Sequence, residues 1–342
     1  MTETVSQVGE FGLIHRIHEL ISTRGEHVGD NATVGIGDDC AVFTPRAGVE
    51  ILVTCDSVVE GRHYLPQYIS AFDLGRRCMT LNISDIGAMG GRPLYAIVSL
   101  GLKPDTPVTD VESMYMGFLA ELGPFHAAIL GGNITRSSDA PFIDITLIGE
   151  VEQGKAVRRS TANPGDVILV TGYPGQSAAG LDLLLNRGGA DDLTDHPLVK
   201  AYNTPSHRAK EGYAVAASGF ATAMIDTSDG LLGDLGHICS ESRVGAWIAE
   251  ARLPLSAPLE AFAGAMKMKT HEVVLRDSDD YELIITSPPE HGGRIGKIIR
   301  ELSGVTVTEI GTVTDSRDKI KLTTMGDEQV DLSPSGWDHF KK

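Results

Sequence analysis

The sequence predicts a two-domain protein of the α/β (α+β) class, and three observations lead there. The chain has 342 residues, more than twice the ~150 of a typical domain. Strand-like apolar runs and segments of helical spacing mix through both halves, with no internal repeat of about 20–50 residues and no low-complexity tract. Between the halves lies GKAVRRSTANPGD (154–166), polar, basic and rich in turn residues. It separates a first domain of residues 1–152 from a second of residues 153–342.

In chain order, Phe11, Ile14, Ile17, Leu20 and Ile21 recur at helical spacing and predict an amphipathic helix over 10–22. GIGDDCAVF (35–43) starts Gly-rich and turns apolar, a loop leading into a short strand. EILVTCDS (50–57) predicts a strand that ends in polar residues. DLGRRCMTLNISDIGAMGGRP (73–93) predicts a helix with Gly90 and Gly91 at its end and Pro93 beyond. LYAIVSLGL (94–102) reads as a buried strand, 108–123 as a helix, and AAILGG (127–132) as a strand running into a loop. FIDITLIGEV (142–151) alternates and predicts a strand. The second half opens with a strand in DVILVTG (166–172), a Gly-rich turn and a helix in SAAGLDLLLN (177–186). ATAMIDTSDG (221–230) predicts strand then loop, LLGDLGHICSES (231–242) a helix and YELIIT (281–286) a strand.

Apolar (42%) and charged (22%) fractions are those of an ordinary globular chain. The formal net charge of −17 argues against a general nucleic-acid or anionic-membrane partner. It suits a protein that recruits hard cations, and equally one whose surface is simply soluble. Cys40, Cys55, Cys78 and Cys239 lie far apart with no CxxC spacing, so a reducing cytoplasm is expected. MTETVSQVGEF lacks the basic and apolar regions of a signal peptide, and no apolar run reaches the ~18 residues of a membrane span.

The most informative pattern is a strand end or loop carrying one or two aspartates. It occurs at Asp38 and Asp39, at Asp56, at Asp85, at Asp226 with Asp229, and at Asp279 with Asp280. Magnesium prefers oxygen ligands and uses a few carboxylates together with substrate phosphates. Any one of these aspartates can equally be a turn or cap residue. Asp85 continues the helical series Leu74, Cys78, Leu81, which turns it towards the apolar side, where an ionised carboxylate needs a cation or an Arg partner. Residues 172–180, GYPGQSAAG, stand between a strand and a helix. They could cradle phosphate at the helix N-terminus or form a tight packed turn, and they lack the GxxxxGK spacing of a P-loop. Arg136, Arg158, Arg159 and Ser160 are candidate phosphate clamps or solvated residues. His63 can be a base, a phosphate contact or a surface residue.

Taken together and in order, the motifs GEFGLI (9–14), GIGDDCAVF, TCDSVVEGRHY, LNISDIGAMGGRP, GGNITR (131–136), RRSTANPGD, the 172–180 loop, IDTSDGLLGDLGHI, DDYELIIT and GWDHF (336–340) resemble the thiamine-monophosphate kinase family. That family belongs to the superfamily of aminoimidazole ribonucleotide synthetase, selenophosphate synthetase and the hydrogenase maturation dehydratase. The resemblance spans essentially the whole chain. It implies an N-terminal ATP- and magnesium-binding domain whose mixed sheet pairs across a homodimer, and a C-terminal α/β domain completing the ATP and substrate site. It implies ATP- and Mg2+-dependent phosphorylation of thiamine monophosphate to thiamine diphosphate by direct in-line transfer. Carried over by motif, the metal positions are Asp39, Thr54, Asp56, Asp85, Asn133, Asp226 and Asp229. Nucleotide positions are Cys55, Tyr115, Gly132, Asn133, Arg159 and Ser228, and positions for the acceptor are His63, Asp279 and Trp337. Asp39, Asp85, Asp229 and Arg159 would carry catalysis.

The chain departs from the family pattern twice. Asn133 stands where GGDTTR has Asp, keeping an oxygen donor but removing a charge. Asp277 and Ser278 stand where the family has two glycines ahead of the DYEL stretch. These departures leave two further readings: the same ATP machinery acting on another phosphorylated acceptor, or a nucleotide-binding regulator without turnover.

Overall fold

A computed structural model describes residues 2–23, 31–186, 193 and 195–333. The chain divides into two compact units, Met1–Ile86 with Gly91–Gly154, and Gly87–Gly90 with Lys155–Lys342.

The first unit begins with helix α1 (Val5–Thr23), bent at Gly9. It buries Leu13, Ile17 and Ile21 at four-residue spacing, whereas Phe11, expected on that face, is 83% exposed. Strands β1 (Ala32–Val34) and β2 (Val42–Phe43) pair as a small ribbon. Then follow β3 (Val49–Val59), α2 (Ala71–Ala88), β4 (Arg92–Leu102), α3 (Val108–Leu122), β5 (Ala128–Arg136) and β6 (Phe142–Glu152). The four long strands form one mixed sheet in the order β3-β6-β4-β5. Only the β4/β5 pair is parallel.

Alternation sets the faces of this sheet. On β6, Ile143, Ile145 and Leu147 are buried while Phe142, Asp144, Thr146 and Ile148 are half-buried. On the edge strand β3, Val58 is buried, and Val53 is 65% exposed on the opposite face. Two strands run further than the sequence suggests. β3 continues past Asp56 to Val59, and β5 continues past Gly132 and Asn133 to Arg136. The polar residues that look like strand ends are outward or site-facing positions of continuing strands.

Helices α2 and α3 meet backbone to backbone. A Cβ on Gly75 would lie 2.1 Å from the Met114 carbonyl oxygen, and one on Gly117 would lie 2.2 Å from that of Phe72. In an open helix Gly→Ala gains about 0.5–1 kcal/mol; here overpacking, about 1–3 kcal/mol or more, outweighs it. Gly117→Ala is therefore expected to lower the melting temperature, and an equal or higher value would disprove the close contact.

The second unit contains β7 (Val167–Thr171), α4 (Gln176–Asn186), α5 (Pro197–Asn203), α6 (Ala209–Ser218), β8 (Ala223–Asp226) and α7 (Leu231–Ser242). It continues with β9 (Gly245–Ala249), α8 (Ala257–Met266), α9 (Thr270–Val274), β10 (Leu283–Ser287) and α10 (Pro289–Ser303). It closes with β11 (Val307–Thr314), β12 (Ile320–Thr323) and β13 (Gln329–Leu332). The seven strands form one mixed sheet in the order β13-β12-β9-β11-β7-β10-β8. Its central strands are buried on both faces. Ile168 and Val170 of β7 pack into one core with α7 and α8, and Val167 and Leu169 into another with α6 and α10. Hence β7, β8 and β10 read as unbroken apolar runs.

Candidate active site

Each unit carries a group of crowded carboxylates. In the first, β3 places Thr54 and Asp56 two residues apart on one face of the sheet. The last turn of α2 brings Asp85 to them, and the Thr54 Oγ1 hydroxyl donates to Asp85 Oδ2. Burial, with repulsion from Asp85 and Asp144, pushes the Asp56 carboxyl up to about 7. The helical series points Asp85 to the apolar side of α2, but that side is taken by the fully buried Ile83 and Ile86; Asp85 is half-buried and accepts a hydroxyl at the polar margin of the helix.

On the outer face of the same strand, Ser57 Oγ donates to Asp144 Oδ2 at 2.6 Å and Cys55 Sγ donates to Asp144 Oδ1 at 3.2 Å. Thr146 Oγ1 donates to the Cys55 sulfur at 3.4 Å. That bond lowers the thiol pKa, but desolvation and the Asp144 and Asp56 charges outweigh it and the net shift is upward. Cys55 is a protonated thiol, unsuited to nucleophilic work. Asp144 was missed by sequence reasoning. The available signal was a lone carboxylate at an outward position of an otherwise apolar alternating strand.

The other first-unit candidates sit on other segments of the chain. Asp39 is exposed, and its N–H donates to Asp38 Oδ1 at 2.8 Å, a turn contact. Gly132 and Asn133 are exposed in β5, opposite Val98 and Ser99 of β4. His63 follows β3, and its Nδ1 accepts from the Val59 N–H at 3.0 Å, which leaves the ring proton on Nε2. Tyr115 requires a correction. It is 4% exposed and edge-on to Phe118 at 5.1 Å, so it packs the α3 core where a nucleotide-facing aromatic was expected.

In the second unit, β8 ends at Asp226 and α7 begins at Leu231, so Thr227 to Gly230 form the connection. Thr227 is fastened to Glu282 by reciprocal main-chain and side-chain bonds. Gly230 has φ 107°, and a Cβ there would stand 2.4 Å from the Arg276 carbonyl oxygen, so only glycine fits. Asp234, 1% exposed, accepts the Asp229 N–H at 3.0 Å. Burial and then Asp226 push its carboxyl up to about 8. Among the described residues, Asp229, Asp234 and His237 are the one group of three ligand-type side chains within 4.8 Å of each other. Asp234 and His237 escaped the sequence reading, although they sit three residues apart on one helix face. Ser228 and Arg159 are both exposed.

The 172–180 segment is a packed turn, which settles its two readings against a phosphate cradle. Asp280 accepts the Gly175 N–H at 2.6 Å and the Ser177 N–H at 2.8 Å, and Ser278 Oγ accepts the Ala178 N–H at 3.1 Å. The donors that would face a phosphate are taken by the protein itself. Asp279 accepts from Ser177 Oγ at 2.5 Å. Behind it, Glu282 receives both arms of Arg208 at 2.5 and 2.6 Å and the Thr171 hydroxyl at 2.6 Å. Trp337 lies outside the described residues.

The donor sets suit hard divalent cations. They are carboxylate and hydroxyl oxygens with one imidazole, and the raised Asp56 and Asp234 mark negative charge that a cation would relieve.

Two mixed-sheet units with these acidic loops define an architecture shared with known proteins. Residues 37–151 match the AIR synthase related protein, N-terminal domain, and residues 163–322 match the AIR synthase related protein, C-terminal domain. The thiamine-monophosphate kinase of Bacillus subtilis (strain 168) is 35% identical over 338 residues, covering 97% of this chain and 99% of that one. The crystal structure of the thiamine-monophosphate kinase from Stenotrophomonas maltophilia K279a is 32% identical, with a TM-score of 0.79 over 93% of this chain and 97% of that one. The AaThiL structure complexed with AMPPCP and TMP is 29% identical, with a TM-score of 0.75 over 99% of this chain and 100% of that one. The chain belongs to the thiamine-monophosphate kinase family.

Proposed function

We propose that this chain transfers the γ-phosphoryl group of ATP to the phosphate of thiamine monophosphate, giving thiamine diphosphate and ADP in a magnesium-dependent reaction. The observation that carries this reading is the 35% identity to a thiamine-monophosphate kinase over 97% of the chain. The crowded carboxylates support the metal requirement. Asp39, Thr54, Asp56, Asp85, Asn133, Asp226 and Asp229 are the side chains proposed to hold magnesium. When bound, magnesium supplies charge neutralisation between two anionic reactants.

The residues of the chain then position and orient. The exposed Arg159 guanidinium suits bidentate contact with phosphate oxygens, and Cys55, Gly132 and Ser228 border the nucleotide. His63, Asp279 and Trp337 are the residues proposed to contact the acceptor. An acceptor phosphate oxygen attacks the γ-phosphorus while its bond to the β-phosphate oxygen breaks, and no side chain carries the phosphoryl group.

A homodimer is part of the proposal. β3 is a long edge strand whose outer face exposes Val53 and Ile51, a surface that natural sheets cover by pairing. A cytoplasmic setting is supported by four free cysteines, and among the described residues no helix is long and apolar enough to cross a membrane.

The test is ADP release from ATP and magnesium with and without thiamine monophosphate. Release that depends on both magnesium and this acceptor is expected. A folded preparation with no acceptor-dependent turnover would refute the reading.

A further inference from the structure

We propose that Ser177 is a positioning residue for acceptor recognition, holding the Asp279 carboxylate towards the cationic heterocycle of the acceptor. The inference rests on the reading of the chain as a thiamine-monophosphate kinase with Asp279 at the acceptor.

Three consecutive side chains, Ser278, Asp279 and Asp280, cross the N-terminus of α4. Ser278 and Asp280 are buried, 7% and 8% exposed, and both are spent on α4 backbone N–H groups. Asp279 between them is the one left half-exposed. A carboxylate repels a phosphate, so an Asp in contact with thiamine monophosphate belongs against its positively charged ring system.

Ser177 is fully buried. Its backbone N–H already serves Asp280, and alanine at 177 would keep that bond. The hydroxyl goes to Asp279 Oδ1 at 2.5 Å, and an ionised Asp279 can only accept it. The side chain of Ser177 therefore holds one oxygen of the half-exposed Asp279 carboxylate, while the neighbouring contacts hold the backbone beneath it. Ser278 contributes to that backbone anchoring through its hydroxyl on the Ala178 N–H.

The experiment measures ADP release for wild type, Ser177→Ala, Asp279→Ala and the double variant, titrating thiamine monophosphate and ATP separately. Loss of one hydrogen bond to a charged group corresponds to about a tenfold effect. Ser177→Ala is expected to raise KM for thiamine monophosphate by about that factor, with kcat, KM for ATP and melting temperature close to wild type. The double variant is expected to match Asp279→Ala alone, because Ser177 acts through Asp279. Ser177→Thr, which keeps the hydroxyl, is expected to restore the KM; if threonine does not fit the buried site, the double variant still decides.

An unchanged KM in Ser177→Ala, additive effects in the double variant, or a uniform loss of kcat and stability would each overturn the proposal. Wild-type turnover with an unaffected Asp279→Ala would remove Asp279 from the acceptor site and leave the kinase reading standing. Absence of wild-type turnover would overturn the kinase reading itself.

Discussion

Asp85→Asn is expected to reduce magnesium-dependent ADP release by about 10²–10³-fold, the scale of losing one preorganised electrostatic contact at a reacting centre. The substitution is nearly isosteric, and the amide oxygen can still accept from the Thr54 hydroxyl that Asp85 now receives. What it removes is charge. The folded protein should not suffer, because that charge also repels Asp56. Asp56 has a folded pKa of about 7 against about 3.9 in an unfolded chain. The folded state therefore binds the extra proton between those values. The stability this confers is full below about pH 4 and is lost as pH rises through about 7. In metal-free buffer the melting temperature should fall across that window. Asp85→Asn should flatten the fall, and magnesium should stabilise wild type more than the variant. Wild-type activity in Asp85→Asn would remove Asp85 from the site.

The largest stability effect is expected from Arg208→Met. Arg208 grips Glu282 with both guanidinium arms, and their side chains are 16% and 7% exposed. Removing one partner of a buried pair costs about 3–5 kcal/mol, because the remaining charge is stranded. Glu282 keeps only the Thr171 hydroxyl among the side-chain bonds described for it. At about 2–4 °C per kcal/mol for a unit of this size, a loss on the order of 10 °C follows. Arg208→Lys should rescue poorly, since a point charge cannot reproduce the fork. The loss should also reach activity, because Glu282 is latched to Thr227 at the start of the Asp226–Asp229 connection. A melting temperature within about 2 °C of wild type would show that the pair contributes little.

How much of this was legible in the sequence depends on the range of the forces involved. Strands β7, β8 and β10 were readable because each buries both faces and is a continuous apolar run. Helix α7 was readable to the residue, starting just after the conformationally demanding Gly230. Phe11 misled because, two residues before Leu13, it stands about 160° round the helix from the buried Leu13, Ile17 and Ile21 stripe. Strands β9, β12 and β13 are no shorter, but their half-buried or exposed positions break the apolar run and gave no comparable signal.

At the site, Asp85 was legible as a helical position but not as one facing a hydroxyl, because phase is local and Thr54 lies on β3. Arg208 and Glu282 were not, since they are 74 residues apart and neither is unusual in its own neighbourhood. The same holds for Asp144, brought to Cys55 and Ser57 by strand register. The 172–180 turn had two readings because local sequence cannot say whether its N–H groups meet a ligand or another part of the chain. Asp280, more than a hundred residues on, supplies the answer.

Strand β3 carries a thermodynamic consequence. Thr54 and Asp56 project from one side of it, and Val53 and Cys55 from the other. In the proposed dimer, the metal side chains Thr54 and Asp56 and the exposed apolar surface therefore share one eleven-residue ribbon, with Cys55, proposed at the nucleotide, on the side of Val53. Linkage makes any coupling across this ribbon reciprocal: if binding on one side changes subunit association, association changes that binding by the same factor. Nucleotide affinity measured across a dilution series is where such a coupling would be read.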